Sequence, residues 1–168
     1  MPQPPTAPPE PIQSNAAIGG HPLHPMLIHF PVAALVALPA ADAAFLWNGD
    51  PFWARAGLWL AGVGALGGWV ASLAGLVDLL TVQAIRRKVT AWTHALLAVM
   101  LLSLGTLNWL LRLRLGAADS VMPLGFGLSI LNLVLIALAA YLGGKLVYEQ
   151  AVAVDAAAVP DEHGGLRG

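Results

Sequence analysis

The sequence predicts an all-α integral membrane protein: a four-helix bundle with a disordered, proline-rich N-terminal tail. Three observations lead there. Of 168 residues, 58% are apolar and only 10% charged, where a soluble domain has roughly 45–50% and about 25%. The mean hydropathy is +0.73. Four apolar segments each reach the roughly 20 residues that a bilayer demands, over about 25–47, 52–81, 89–111 and 121–148. So little charge cannot clothe a soluble domain of this size. Eight Lys and Arg against nine Asp and Glu supply no basic field, which excludes nucleic acid as a partner.

The elements follow in order. Residues 1–19 carry six prolines in the first eleven positions and no apolar periodicity before Ile18, which predicts an extended tail. Backbone groups in lipid must be satisfied within their own segment, so the four apolar runs are helices. Short joins separate them: Asn48-Gly49-Asp50-Pro51, Arg86-Arg87-Lys88, and Arg112 to Ser120. Residues 151–168 form a second flexible tail, and 20–150 the membrane domain. An even number of helices places both ends on one side. Arg86, Arg87, Lys88 and Lys145 fall on that side, and Arg55, Arg112 and Arg114 on the other, which favours cytoplasmic termini. Trp47, Trp53, Trp92, Trp109, Tyr141 and Tyr148 read as interfacial anchors.

Ionisable groups within membrane spans cost energy and mark candidate sites. Three of the five histidines, His21, His24 and His29, lie within nine residues around three of the prolines. A residue before proline is pushed away from helical geometry, so His21 and His24 belong to an extended lead-in and His29 to the first helix. His94 lies six residues past Lys88, and Asp78 eight residues before Arg86. Helix counting therefore sets His24, His29, Asp78 and His94 at similar depth near one face. Gly57, Ala61, Gly64, Gly68, Ala71, Gly75 and Asp78 form one helical stripe; it either packs helices closely or accepts a planar cofactor. Asn108 and Asn132 read as interhelical hydrogen-bond groups, and Asp42 as reaching interfacial water.

With no cysteine, thiolate metal sites, iron–sulfur clusters and covalent haem attachment are excluded. The residues fit b-type haem for electron transfer. His24 or His29 would ligate iron opposite His94, Asp78 would orient a ligand imidazole, and Arg86, Arg87, Lys88 and Lys145 would pair with propionates. A transition-metal ion held by His24, His29 and His94, or transported through them, is the alternative chemistry. A non-catalytic subunit of a membrane complex is the alternative without a cofactor. A relay through Asp78 and His94 in a proton-linked transporter is a further one. No nucleophile with a matching base stands out, so a redox carrier or subunit is expected rather than a stand-alone enzyme, with the lipid bilayer and other membrane subunits or redox proteins as partners.

Gly20-His21-Pro22-Leu23-His24-Pro25-Met26-Leu27-Ile28-His29-Phe30-Pro31 resembles the opening signature of a bacterial membrane-protein family known only as domain of unknown function 2231. Gly75-Leu76-Val77-Asp78, His94 and Gly143-Gly144-Lys145-Leu146-Val147-Tyr148 extend the likeness over residues 19–150. The resemblance implies a four-helix domain in the bacterial inner membrane and implies no activity.

Overall fold

The structure is a computed structural model and describes residues 10–154. A two-residue pair of antiparallel strands, β1 (Ala17–Ile18) and β2 (His21–Pro22), leads into α1 (Leu23–Asn48). Then come α2 (Pro51–Thr81), the short α3 (Gln83–Arg86), α4 (Val89–Leu115) and α5 (Phe126–Gly144). Wide π-helical turns, Val121–Gly125 and Lys145–Glu149, extend α5 at both ends. Four helical stretches are long and apolar enough to cross a membrane: Leu23–Asn48, Pro51–Thr81, Val89–Leu115 and Val121–Glu149. The protein is an all-α membrane bundle of four spans.

Local chemistry sets the turns. Gly49 takes the left-handed conformation (φ 70°) and its N–H closes α1 on the Phe45 carbonyl. Asp50 then caps α2 through Phe52 N at 2.9 Å, with Pro51 as the first helical residue. The α1–α2 contact is the most extensive, followed by α4 on α5 and α2 on α4; α5 closes the ring on α1. The topology is up-down-up-down. One face of the bundle carries the ends of the described chain together with α3, and the other carries the two hairpin loops; these are the terminal face and the loop face.

The small-residue stripe of α2 is the tightest seam. Gly57, Ala61, Gly64, Gly68, Ala71 and Asp78 are all buried. A Cβ at Gly64 would collide with Leu35 of α1, and one at Gly68 with Leu102 of α4. The stripe is therefore filled by side chains of its neighbours, and the planar-cofactor reading of it gives way to close packing. Leu35, Leu101, Leu102, Leu135, Ile136 and Ala139 form the central apolar layer. Outward positions such as Trp59, Leu66, Val70, Leu73, Val134 and Leu138 are exposed, as lipid-facing side chains are.

Three expectations change. His24 is the second residue of α1, not part of an extended lead-in. Pro25 falls in the first turn, where a missing N–H costs nothing, so the helix starts before it. The expected disordered stretch at 1–19 also ends early. Residues 1–9 lie outside the described residues, but from Glu10 the chain is tied down across the terminal face. Leu23 N bonds the Ala16 carbonyl, and Ile12 pairs with Val152 in a parallel bridge. Likewise Ala151 and Val152, expected in a flexible tail, are buried beside Leu79, Ile85, Ala91 and Leu146; residues 155–168 lie outside the described residues.

Candidate functional site

Two histidines meet near the terminal face. His24 Nδ1 lies 2.9 Å from the Ala71 carbonyl of α2, and His94 Nδ1 lies 2.9 Å from the Ala139 carbonyl of α5. A carbonyl oxygen only accepts, so Nδ1 carries the proton in both rings and each Nε2 keeps its lone pair. The two rings face each other edge to face, with centroids 6.2 Å apart and planes at 87°. Each hairpin thus fixes one imidazole on its own partner helix, and bundle assembly brings the two together.

Glycine seats make this possible. A Cβ on Gly75 would lie 3.1 Å from His24 Nδ1, and one on Gly143 would lie 3.3 Å from His94 Cε1. Replacing Gly143 with Val is expected to push His94 off the Ala139 carbonyl at about 1–3 kcal/mol. The check is the ring Nδ1–H resonance of His94 in a histidine-labelled sample, which should vanish in the variant and persist in the parent.

The other residues predicted to share the site are distributed differently. His29 lies on the exposed outer surface of α1, away from the pair, and His21 is exposed in β2. Among the described residues, no group of three His, Cys, Asp or Glu could hold a metal ion. Asp78 does not orient an imidazole. Its carboxylate accepts from Ser14 Oγ at 2.6 Å, Asn15 N at 2.8 Å and Ala16 N at 2.9 Å, so it anchors the N-terminal strap. Arg86 and Arg87 are exposed on the join between α3 and α4, with Lys88 next to them as the N-cap of α4. Lys145 sits at the end of α5, 3.4 Å from Glu149 and 5.9 Å from the Tyr141 ring centroid. All four cations border the same face as the histidine pair.

The most buried polar group was not expected as a site. Asp42 and Arg112 form an ion pair at 2.8 Å with both side chains fully buried between α1 and α4. Asp42 therefore does not reach interfacial water. Ser129 Oγ donates to the same carboxylate oxygen at 2.7 Å. Arg112 Nε donates to Asn108 Oδ1 at 3.0 Å, and Asn108 Nδ2 in turn reaches Gly125 O and Ser129 Oγ, each at 3.0 Å. The signal was present in the helix counting: Asp42 lies six residues before Asn48, and Arg112 three before Leu115, at one depth near the loop face. The apolar run stops at Leu111, so the sequence pattern puts Arg112 in the join, whereas α4 continues to Leu115 and carries it inside.

No curated protein and no solved structure matches the chain. A family profile, described as "Predicted membrane protein (DUF2231)", matches residues 20–156. This stretch takes in both histidines, the strap anchor Asp78 and the Asp42–Arg112 pair. The chain belongs to that family of predicted membrane proteins.

Proposed function

We propose that His24 and His94 would hold a b-type haem through their Nε2 atoms, and that the protein is a one-electron carrier at one face of the bacterial inner membrane. The observation that supports this most is the pairing itself: two imidazoles whose Nε2 atoms make no hydrogen bond and, among the described residues, no third His, Cys, Asp or Glu grouped with them. A bare zinc or copper ion would need three or four protein ligands. Haem iron draws most of its ligands from the macrocycle, so two imidazoles would suffice to hold it. Arg86, Arg87, Lys88 and Lys145 are the cations that would pair with propionates at headgroup depth. The haem would supply the redox change. The chain's own part is to hold both rings through Nδ1, which strengthens Nε2 as a donor, and to keep the pair near one face, in reach of a redox partner. The excess of basic residues on the terminal face favours cytoplasmic ends.

Purification in mild detergent from haem-replete cells, with oxidised and reduced visible spectra and metal analysis, tests this reading. The expected result is a sharp reduced α band and one iron per chain. His24→Ala and His94→Ala should each abolish the band, while His29→Ala leaves it intact. Colourless, metal-free protein that haem does not reconstitute would overturn the reading in favour of a non-catalytic membrane subunit. The filled α2 stripe favours that second reading. Colourless protein holding zinc or copper would overturn it in favour of a bare metal site.

A further inference from the structure

Independently of the histidines, the interior carries polar atoms that no group among the described residues meets. Both the Nδ2 and Oδ1 atoms of Asn132 are buried without a hydrogen-bond partner, as are Asp42 Oδ1 and Arg112 Nη1. Asn132 is 1% exposed. Exchanging its amide oxygen and nitrogen changes nothing, because neither position has a partner. Its amide nitrogen faces Gly105, which offers no side chain. An amide has two donors and two lone pairs, and leaving all of them unmet in an apolar interior is strongly unfavourable.

The unmet atoms lie at two levels: Asp42 Oδ1 and Arg112 Nη1 border Gly57 of α2, and the Asn132 amide borders Gly105 of α4. Asn132 follows Ser129 by three residues on the same buried face of α5, about 4.5 Å deeper along the axis. Ser129 in turn touches Asp42 near the loop face. Leu35 packs beside the Asn132 amide at Gly105, and Leu101, Leu102 and Ile136 fill the layer before Ala139 and His94. Polar chemistry thus enters from the loop face and stops about halfway through the bundle.

We propose that Asp42, Arg112 and Asn132 hold bound water that carries hydration from the loop face to the middle of the bundle. Bound water needs two to four polar partners, and the unmet atoms of these three residues supply them. The leucine layer keeps this water apart from the histidine pair.

Nuclear magnetic resonance on the full chain in nanodiscs tests the proposal. The chain has only four asparagines, Asn15, Asn48, Asn108 and Asn132, so amide-labelled asparagine gives four side-chain NH₂ pairs, and Asn132→Leu assigns the one of interest. In the parent protein, the Asn132 NH₂ protons should show a cross-peak at the water frequency. They should also exchange with deuterated solvent at least about tenfold faster than the neighbouring backbone amides of α5. Exposed Asn48 is the positive control and fully paired Asn108 the internal one. An Asn132 pair that is resolved but shows neither contact nor fast exchange would overturn the proposal, whatever the histidines bind.

Discussion

Arg112→Met is expected to destabilise the bundle by about 3–5 kcal/mol, because it leaves the Asp42 carboxylate buried without its counter-charge. Both side chains are fully buried, and a bound water beside the stranded carboxylate would replace the guanidinium's charge only in small part. Asn108 would lose the Nε donor to its carbonyl at the same time. Asp42→Leu should cost a similar amount by stranding the guanidinium. The double variant Asp42→Leu, Arg112→Met should recover most of the loss, since removing both charges also removes the cost of burying them. Thermal unfolding in mild detergent is the measurement. A single variant within about 1 kcal/mol of the parent would mean that the pair contributes no more than a surface ion pair does.

Asp78→Ala should release the N-terminal strap. Three hydrogen bonds to one carboxylate are lost, two of them from backbone amides. Hydrogen bonds to a charged group contribute about 1.5–3 kcal/mol each when buried. Asn15 is exposed and its amide can rehydrate, so the local loss should be nearer 2–4 kcal/mol than the full sum. Hydrogen exchange is the readout. The Ala16 and Leu23 amides should exchange much faster in the variant, and a protease should cut within 10–20, while protection in the middle of α2 and α4 stays unchanged. Unfolding of the whole bundle instead would show that the strap is integral to the membrane core. Asp78→Asn keeps one acceptor and should fall between the two.

These variants also separate what was legible in the sequence from what was not. The four spans were, because bilayer thickness converts directly into apolar length. The buried stripe from Gly57 to Asp78 was as well, because helical spacing alone puts those residues on one face. Depth was equally readable, and it brought His24, His94 and Asp78 to the same end. Angle around the axis was harder: His29 shares that depth yet faces outward, and nothing in the spacing of a proline-interrupted segment said which histidine would turn inward. The partners of Asp42 and Asp78 were also hidden. An aspartate pairs with whatever donor the assembled fold delivers, and those donors lie 70 and about 63 positions away in the chain.

The sequence by itself determined that this chain lives in a membrane, that it crosses four times, and that its costly polar groups cluster by depth. Those properties depend on composition and on distances along one helix. Only the tertiary structure decided that His24 rather than His29 meets His94, that Asp78 holds a strap, and that Arg112 goes inside to neutralise Asp42. Each of those outcomes depends on how helices rotate and dock. That rotation is set by small-residue contacts such as Gly64 with Leu35 and Gly68 with Leu102, which exist only once the helices have come together.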